Sequence, residues 1–369
     1  MALLTANTQR NTWRRLQKNK GAVFGIVVIL ISILIAIAAY FIAPDFSPNA
    51  NRIILELGGK KPGFTQKFLL IKKERKVERA SFFSRLFFGQ EDEYNFIPIE
   101  TYYQKGDSLI VQQFIVEGLT ESVSYPLSKI TVDSSSALKK SYNIQTQKFL
   151  LGTDKYGRDI LSRLIIGTRV SLAVGTITVI ISLTIGVFLG AMAGYYRGWI
   201  DEIIMWFINV IWSIPTLLLV FAITLLLGKG FWQIFIAIGL TMWVNVARII
   251  RGQILVVKEL EYIEAAKALG FSSTRIILRH ILPNVMGPVA VVAASNFASA
   301  IIIEAGLSFL GIGVQPPQPS WGLMIKENYN FIITHNPMLA IAPGLAIMLL
   351  VLAFNLLGNG LRDALNVKE

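Results

Sequence analysis

The chain has 369 residues, 53% of them hydrophobic and only 16% charged, and its formal net charge is +12. A soluble domain carries about 25% charged residues, so this composition, with a mean hydropathy of +0.56, points to a polytopic membrane protein. The lysines and arginines are scattered or flank apolar runs, which argues against a nucleic-acid face; with no cysteine and two distant histidines, His280 and His335, disulfides, cysteine nucleophiles and His-rich metal sites are excluded.

The first apolar run, 21–43, follows a basic tail containing Arg10, Arg14, Arg15, Lys18 and Lys20. Ala36-Ile37-Ala38 resembles a signal-peptide cleavage site. The run, however, is too long for a signal core and suits a spanning helix of about 20 residues. Residues 1–43 therefore read as a cytoplasmic tail and a first transmembrane helix, oriented by the positive-inside rule.

Residues 44–147 read as an extracytoplasmic insertion of mixed α/β character. Its many basic residues are no obstacle, because long segments translocate largely regardless of charge. Gly58-Gly-Lys-Lys-Pro-Gly63 has the wrong spacing for a phosphate loop and reads as a turn. Phe68, Ile71, Phe82, Phe83, Leu86 and Phe87 among basic residues predict a helix over 67–88. Such a helix either packs on its own small domain or lies on lipid headgroups. Runs 96–103 and 108–116 flank Gln104-Lys-Gly-Asp107 and predict a β-hairpin.

In Gly157-Arg-Asp-Ile-Leu-Ser-Arg-Leu-Ile165 the apolar residues share one helical face and Arg158, Asp159 and Arg163 the other. That predicts an amphipathic helix at the outer interface, within an outer segment 148–170. Further apolar runs at 171–196, 203–228, 230–247, 281–303 and 336–361 bring the expected spans to six. Alternation puts 196–202 inside, Lys229 in a tight outer turn, 248–280 inside, 304–335 outside and the tail 362–369 inside. Glu304 closes a long apolar run, either as a snorkelling carboxylate or lining the outer mouth of a pathway. Pro316-Pro-Gln-Pro-Ser-Trp321 reads as a stiff outer brace with an interfacial Trp.

The chain lacks a phosphate loop, a nucleophile elbow, a zinc-helix motif and a dinucleotide fingerprint. Ionisable groups near mid-membrane, which an ion-coupled carrier would need, are scarce. The cytoplasmic loop 251–283 stands out instead. Residues 257–270 predict a short helix with Leu260, Ile263 and Ala266 on one stripe. The small Ala265 and Ala266 suit a close fit to another protein, and Gly270 suits the left-handed position that ends a helix. Ser272 is placed to cap a second helix over 273–282, which Pro283 disrupts. From the residues alone this is equally an ordinary amphipathic connection or a docking element that passes motion into the membrane.

Glu264-Ala-Ala-x3-Gly270 with Leu282-Pro283 resembles the EAA loop of ABC importer membrane subunits. Arg279-His-Ile-Leu-Pro-Asn284 resembles the oligopeptide/dipeptide/nickel branch. So do Gly152-Thr-Asp-x2-Gly-Arg-Asp-x-Leu-Ser-Arg-Leu-Ile-x-Gly-x-Arg-x-Ser-Leu172 and the stretch from Glu304-Ala-x-Leu-Ser-Phe-Leu-Gly to Pro-Ser-Trp-Gly322, which look like segments of its C-type permeases. The resemblance implies an all-α transmembrane domain of the importer type over 171–361, working by alternating access in a bacterial inner membrane. It implies a heterodimer with a second permease, two ABC ATPases that carry the ATP and Mg, and an extracytoplasmic binding protein. It implies di- or oligopeptide as substrate, with nickel or another small solute as alternatives, and no cofactor on this chain. The coupling residues it implies are Glu261, Glu264, Ala265, Ala266, Leu269, Gly270 and Pro283. An insertion as long as 44–147 departs from the family's usual connection, and no motif accounts for it.

Overall fold

The computed structural model describes residues 12–130, 143–228, 230–333 and 336–365. In chain order the elements are α1 (Lys20–Ile42), β1 (Phe64–Lys72), α2 (Phe82–Phe88), β2 (Tyr94–Lys105), β3 (Ser108–Val116), β4 (Leu119–Pro126) and β5 (Ile144–Phe149). Helices α3 (Ile160–Tyr196), α4 (Gly198–Trp212), α5 (Thr216–Leu227), α6 (Phe231–Val257), α7 (Glu261–Ala268), α8 (Ser273–Leu310), α9 (Trp321–Asn328) and α10 (Met338–Leu365) follow. The chain divides into two compact units. One combines Met1–Leu34, Val170–Gln315 and Leu345–Glu369; the other combines Ile35–Arg169 and Pro316–Gly344. The expectations for Arg10, Lys229, His335 and residues 366–369 fall outside the described residues.

Among the described residues, α1, α3, α6, α8 and α10 are each long and apolar enough to cross a membrane. The remaining expected span, 203–228, is broken between α4 and α5, whose axes meet at 94°. Pro215 causes the break: it has no N–H to donate, and its ring keeps the preceding residue out of the helical region. Helix α6 is the axis of the first unit, and two thirds of its apolar window is buried (67%), against 17% for α1. Ile234, Phe235, Ile238 and Met242 meet Val174 of α3 and Leu307 of α8. One end lower, Val246, Ile250 and Ile254 meet Ala191, Val285 and Val289. In lipid such contacts gain nothing by leaving water, so dense packing rather than hydrophobic transfer holds these helices together.

The second unit contains an antiparallel sheet in the order β4-β3-β2-β1-β5. The predicted hairpin is present, with Lys105 paired to Ser108 and Gln104 to Leu109 around the Gly106-Asp107 turn. The predicted helix over 67–88 is not: its first part is strand β1, and only Phe82–Phe88 is helical. The physical reason is that β1 lies between β2 and β5 with both faces covered. Phe68 and Leu70 enter one apolar cluster with Phe114 and Phe149, while Leu69 enters another with Ile99 and Val111. A strand buried on both faces loses its alternation and reads as a continuous apolar run.

The expected outer amphipathic helix is also corrected. Residues from Ile160 onward are the first turns of the 37-residue α3. Arg158, Asp159 and Arg163, expected on a solvated face, are buried. Asp154 accepts the backbone N–H of Tyr156 (2.8 Å) and Arg158 (3.0 Å), which closes a tight turn, and its other oxygen takes Arg158 Nε at 2.6 Å. Glu327 of α9 accepts Arg158 Nη2 at 2.8 Å and Arg163 Nη2 at 3.4 Å. Asp159 caps α3 by accepting the N–H of Ser162 at 2.8 Å. Burial pushes the Asp159 carboxyl above the usual carboxylate range. Trp321 is likewise buried rather than interfacial, and its Nε1 donates to the Leu164 carbonyl at 3.0 Å.

Candidate functional site

Helix α6 ends at Val257, and a turn through Lys258 and Leu260 leads into α7. Leu260 has extended backbone (φ −76°, ψ 140°), so the helix starts at Glu261 rather than at 257 as expected. Lys258 Nζ donates to the Tyr195 carbonyl at 2.6 Å, and burial lowers its pKa. Glu261 and Glu264 occupy the first turn of α7 and Lys267 the last, the arrangement that complements a helix dipole.

Ile263 and Ala266 point inward, into the cluster of Ile254, Ile276, Ile281 and Val285. Ala266 therefore lets α7 lie close to its own bundle, whereas Ala265 is exposed. Leu260, expected on the same apolar stripe as Ile263 and Ala266, is exposed too. The outward face consists of Glu261, Glu264, Ala265, Ala268 and Leu269, at i, i+3, i+4, i+7 and i+8. It grades from acidic to apolar, ending at Leu269, which is 73% exposed. Ala268 was missed from sequence; the helical spacing of the exposed residues is the signal that would have found it.

The end of α7 is fixed by a Schellman motif. Gly270 has φ +75°, its N–H donates to the Lys267 carbonyl (2.9 Å), and the Phe271 N–H donates to Ala266 (3.2 Å). Phe271 stacks on His280 at 5.9 Å, with the Arg275 guanidinium 4.2 Å from its ring. Asn284 Nδ2 donates to the Tyr262 hydroxyl at 3.0 Å and to the His280 carbonyl at 2.6 Å. The Arg279-His-Ile-Leu-Pro-Asn284 stretch thus clamps α7 at Phe271 and at Tyr262, whose pKa is raised by burial.

Ser272 has the extended backbone of a cap but makes no side-chain capping bond. Pro283 does not end a helix as expected. A π-turn over Ile277–Ile281, with Leu282 N–H reaching the Ile277 carbonyl, absorbs the residue that cannot donate. α8 consequently runs unbroken for 38 residues from the loop into the membrane.

Within the same unit, a cavity of about 300 Å³ lies at the α4–α5 bend, lined by Trp212, Thr216, Thr241, Asn245, Ser299 and Ile302 among others. Trp212 Nε1 donates to Asn245 Oδ1 at 3.0 Å, and the Arg248 guanidinium lies 4.3 Å from the Trp212 ring. This polar cluster was not found from sequence; a lone Asn in an apolar run opposite a Pro break is its only trace. Glu304, expected at an outer interface, is buried in α8. It accepts the Ser308 hydroxyl at 2.6 Å, and Ser308 Oγ in turn accepts the Val314 N–H at 3.0 Å.

Residues 186–368 match the family model of the binding-protein-dependent transport system inner membrane component. Residues 9–55 match the N-terminal transmembrane domain of oligopeptide transport permease C. The glutathione transport system permease protein GsiD of Pectobacterium atrosepticum is 45% identical over 218 residues, covering 59% of this chain and 72% of that one. The dipeptide transport system permease protein DppC of Alkalihalophilus pseudofirmus is 43% identical over 217 residues, covering 59% and 71%. A chain of the inward-facing MetNI methionine ABC transporter is 17% identical, the match covering 56% of this chain and 98% of that one at a TM-score of 0.46. The motifs that α7 and α8 present and the extent of these matches lead to one assignment: the chain belongs to the family of binding-protein-dependent transport system inner membrane components, the permeases of ABC importers.

Proposed function

We propose that this chain is one half of a heterodimeric permease that moves di- or oligopeptides across the cytoplasmic membrane by alternating access. Two ABC ATPases drive it, and an extracytoplasmic protein delivers the substrate. The observation that carries the reading is the outward stripe of α7, an acidic-to-apolar face clamped rigidly onto α6 and α8. ATP-driven closure of the ATPases moves α7, and α8 carries that movement into the membrane. Glu261 and Glu264 provide polar contacts at the dock, Ala265 and Leu269 its close apolar fit, and Gly270 the turn. Pro283 contributes by requiring the π-turn. ATP and Mg belong to the ATPases.

The peptide reading is supported by the relatives named as glutathione and dipeptide permeases. The cavity at Trp212 and Asn245 supplies amide and indole groups suited to a peptide backbone. In this reading α4 and α5 together form the sixth span, both termini are cytoplasmic, and residues 44–147 lie on the outer face.

The cysteine-free chain permits a direct test. Ala265→Cys in the full chain, expressed with its ATPase pair, is expected to cross-link to the ATPases. Ala265→Arg is expected to abolish assembly and uptake of a labelled dipeptide at unchanged membrane abundance. Absent cross-linking together with normal uptake would sink the docking claim. Intact docking without peptide or glutathione uptake would sink only the substrate.

A further inference from the structure

Four of the seven residues of α2 are phenylalanines, and none of the seven is buried. Phe82, Phe83, Phe87 and Phe88 are 65%, 71%, 57% and 71% exposed. Two turns of helix have no stability of their own in water, and a contiguous exposed aromatic patch marks a surface that something covers.

The helix is nonetheless held firmly. Ser81 Oγ caps it by accepting the Ser84 N–H at 3.3 Å. Gly89 follows at φ +81°, where a Cβ would lie 2.7 Å from the Phe46 carbonyl oxygen and 2.8 Å from the Tyr40 ring. Gln90 N–H donates to that same Phe46 carbonyl at 3.0 Å. Arg169 donates to the Leu86 carbonyl at 2.9 Å while lying 5.1 Å from the Tyr40 ring. These contacts tie α2 to the end of α1. Phe82 completes the tie by stacking on Phe41 at 5.7 Å.

The end of α1 exposes Ile37, Phe41 and Ile42. They belong to the apolar band of a helix whose hydropathy of 3.1 and scant burial suit it to face lipid. Through the Phe41–Phe82 stack that band continues into the phenylalanines of α2, with the Arg85 guanidinium 5.1 Å from the Phe41 ring at the junction.

We propose that α2 is a membrane anchor. Its phenylalanines enter the leaflet from which α1 emerges and tether the adjoining sheet to the bilayer surface. The occupant is lipid, because the patch continues the exposed apolar surface of a helix long and apolar enough to cross a membrane and is held against its end. The inference needs neither the substrate nor the ATPase dock, and it holds for whichever side α1 exits.

The test uses the full chain in nanodiscs, with single cysteines carrying an environment-sensitive fluorophore. Phe83→Cys and Phe88→Cys report on α2, Ile37→Cys is the lipid reference, and Asp107→Cys in the hairpin turn is the water reference. Labels at 83 and 88 are expected to emit blue-shifted light and to lose most of their intensity to spin-labelled lipid, as the label at 37 does. Quenching by aqueous iodide as at 107, with no response to spin-labelled lipid, overturns the anchor. Protection that arises only when a partner permease or binding protein is added overturns it in favour of a protein contact.

Discussion

Gly270→Ala tests whether the end of α7 is set by backbone conformation alone. At φ +75° an L-residue is strained, and a Cβ built there meets nothing within 4 Å. The cost is therefore conformational, about 1–2 kcal/mol, with no steric contribution. That strain falls on the two hydrogen bonds that close the turn, from Gly270 to Lys267 and from Phe271 to Ala266. A change of this size shifts a local opening equilibrium by about 5–30-fold. Hydrogen exchange of the 266–272 segment in nanodiscs reads it directly. Gly270→Ala is expected to speed exchange at Phe271 within that range. Gly270→Asn, which tolerates the left-handed region, is expected to change it much less. Equal exchange in all three proteins, or equal acceleration by Ala and Asn, would refute the reasoning.

Four further outcomes are expected. Ala266→Leu forces a larger side chain into the Ile254–Ile276 cluster and costs about 1–3 kcal/mol of stability. Ala265→Leu, on the exposed face, stays within about 0.5 kcal/mol in thermal unfolding and impairs ATPase assembly; the reverse ranking would contradict the orientation of α7. Glu327→Ala leaves Arg158 and Arg163 buried without that carboxylate and costs about 3–5 kcal/mol. Denaturation in detergent that moves by less than about 1 kcal/mol would remove the network from the account of the fold. Asp159 holds its proton more tightly folded than unfolded, so its contribution is full below the ordinary carboxylate value and is lost as pH rises through the raised value. Asp159→Asn is expected to flatten that part of the stability–pH curve, and an unchanged slope would count against it. Trp212→Phe deletes the donor to Asn245 and is expected to raise the KM for peptide uptake about fivefold, the equivalent of about 1 kcal/mol; an unchanged KM would remove this cavity from the pathway.

The membrane helices and the α7 turn were legible because each rests on local chemistry. Long charge-free runs need lipid, and a glycine after a short helix needs the left-handed region. What failed to read were features set by packing and backbone detail rather than by residue pattern. Arg158 and Arg163 look like a solvated face until Asp154 and Glu327 supply their partners. Strand β1 looks helical because sheets of cover on both sides erase its alternation. Pro283 looks like a stop until the π-turn is seen. Ala265 and Ala266 are chemically identical and adjacent, and only the packing of Ile263 decides which one faces outward.

The continuity of α8 has a mechanical consequence. Its 38 residues at about 1.5 Å per residue make a rod roughly 57 Å long. One end carries the ring of Phe271 against His280, and Glu304 and Ser308 lie near the other. Pro283, the π-turn and Pro288 all lie towards the loop end, so bending is confined there and the stretch from Val289 to Leu310 forms an uninterrupted arm of about 33 Å. In the proposed docking mode, a tilt of that arm by about 10° sweeps its far end through roughly 6 Å, so a small movement at the loop end is enlarged at the opposite end of the helix.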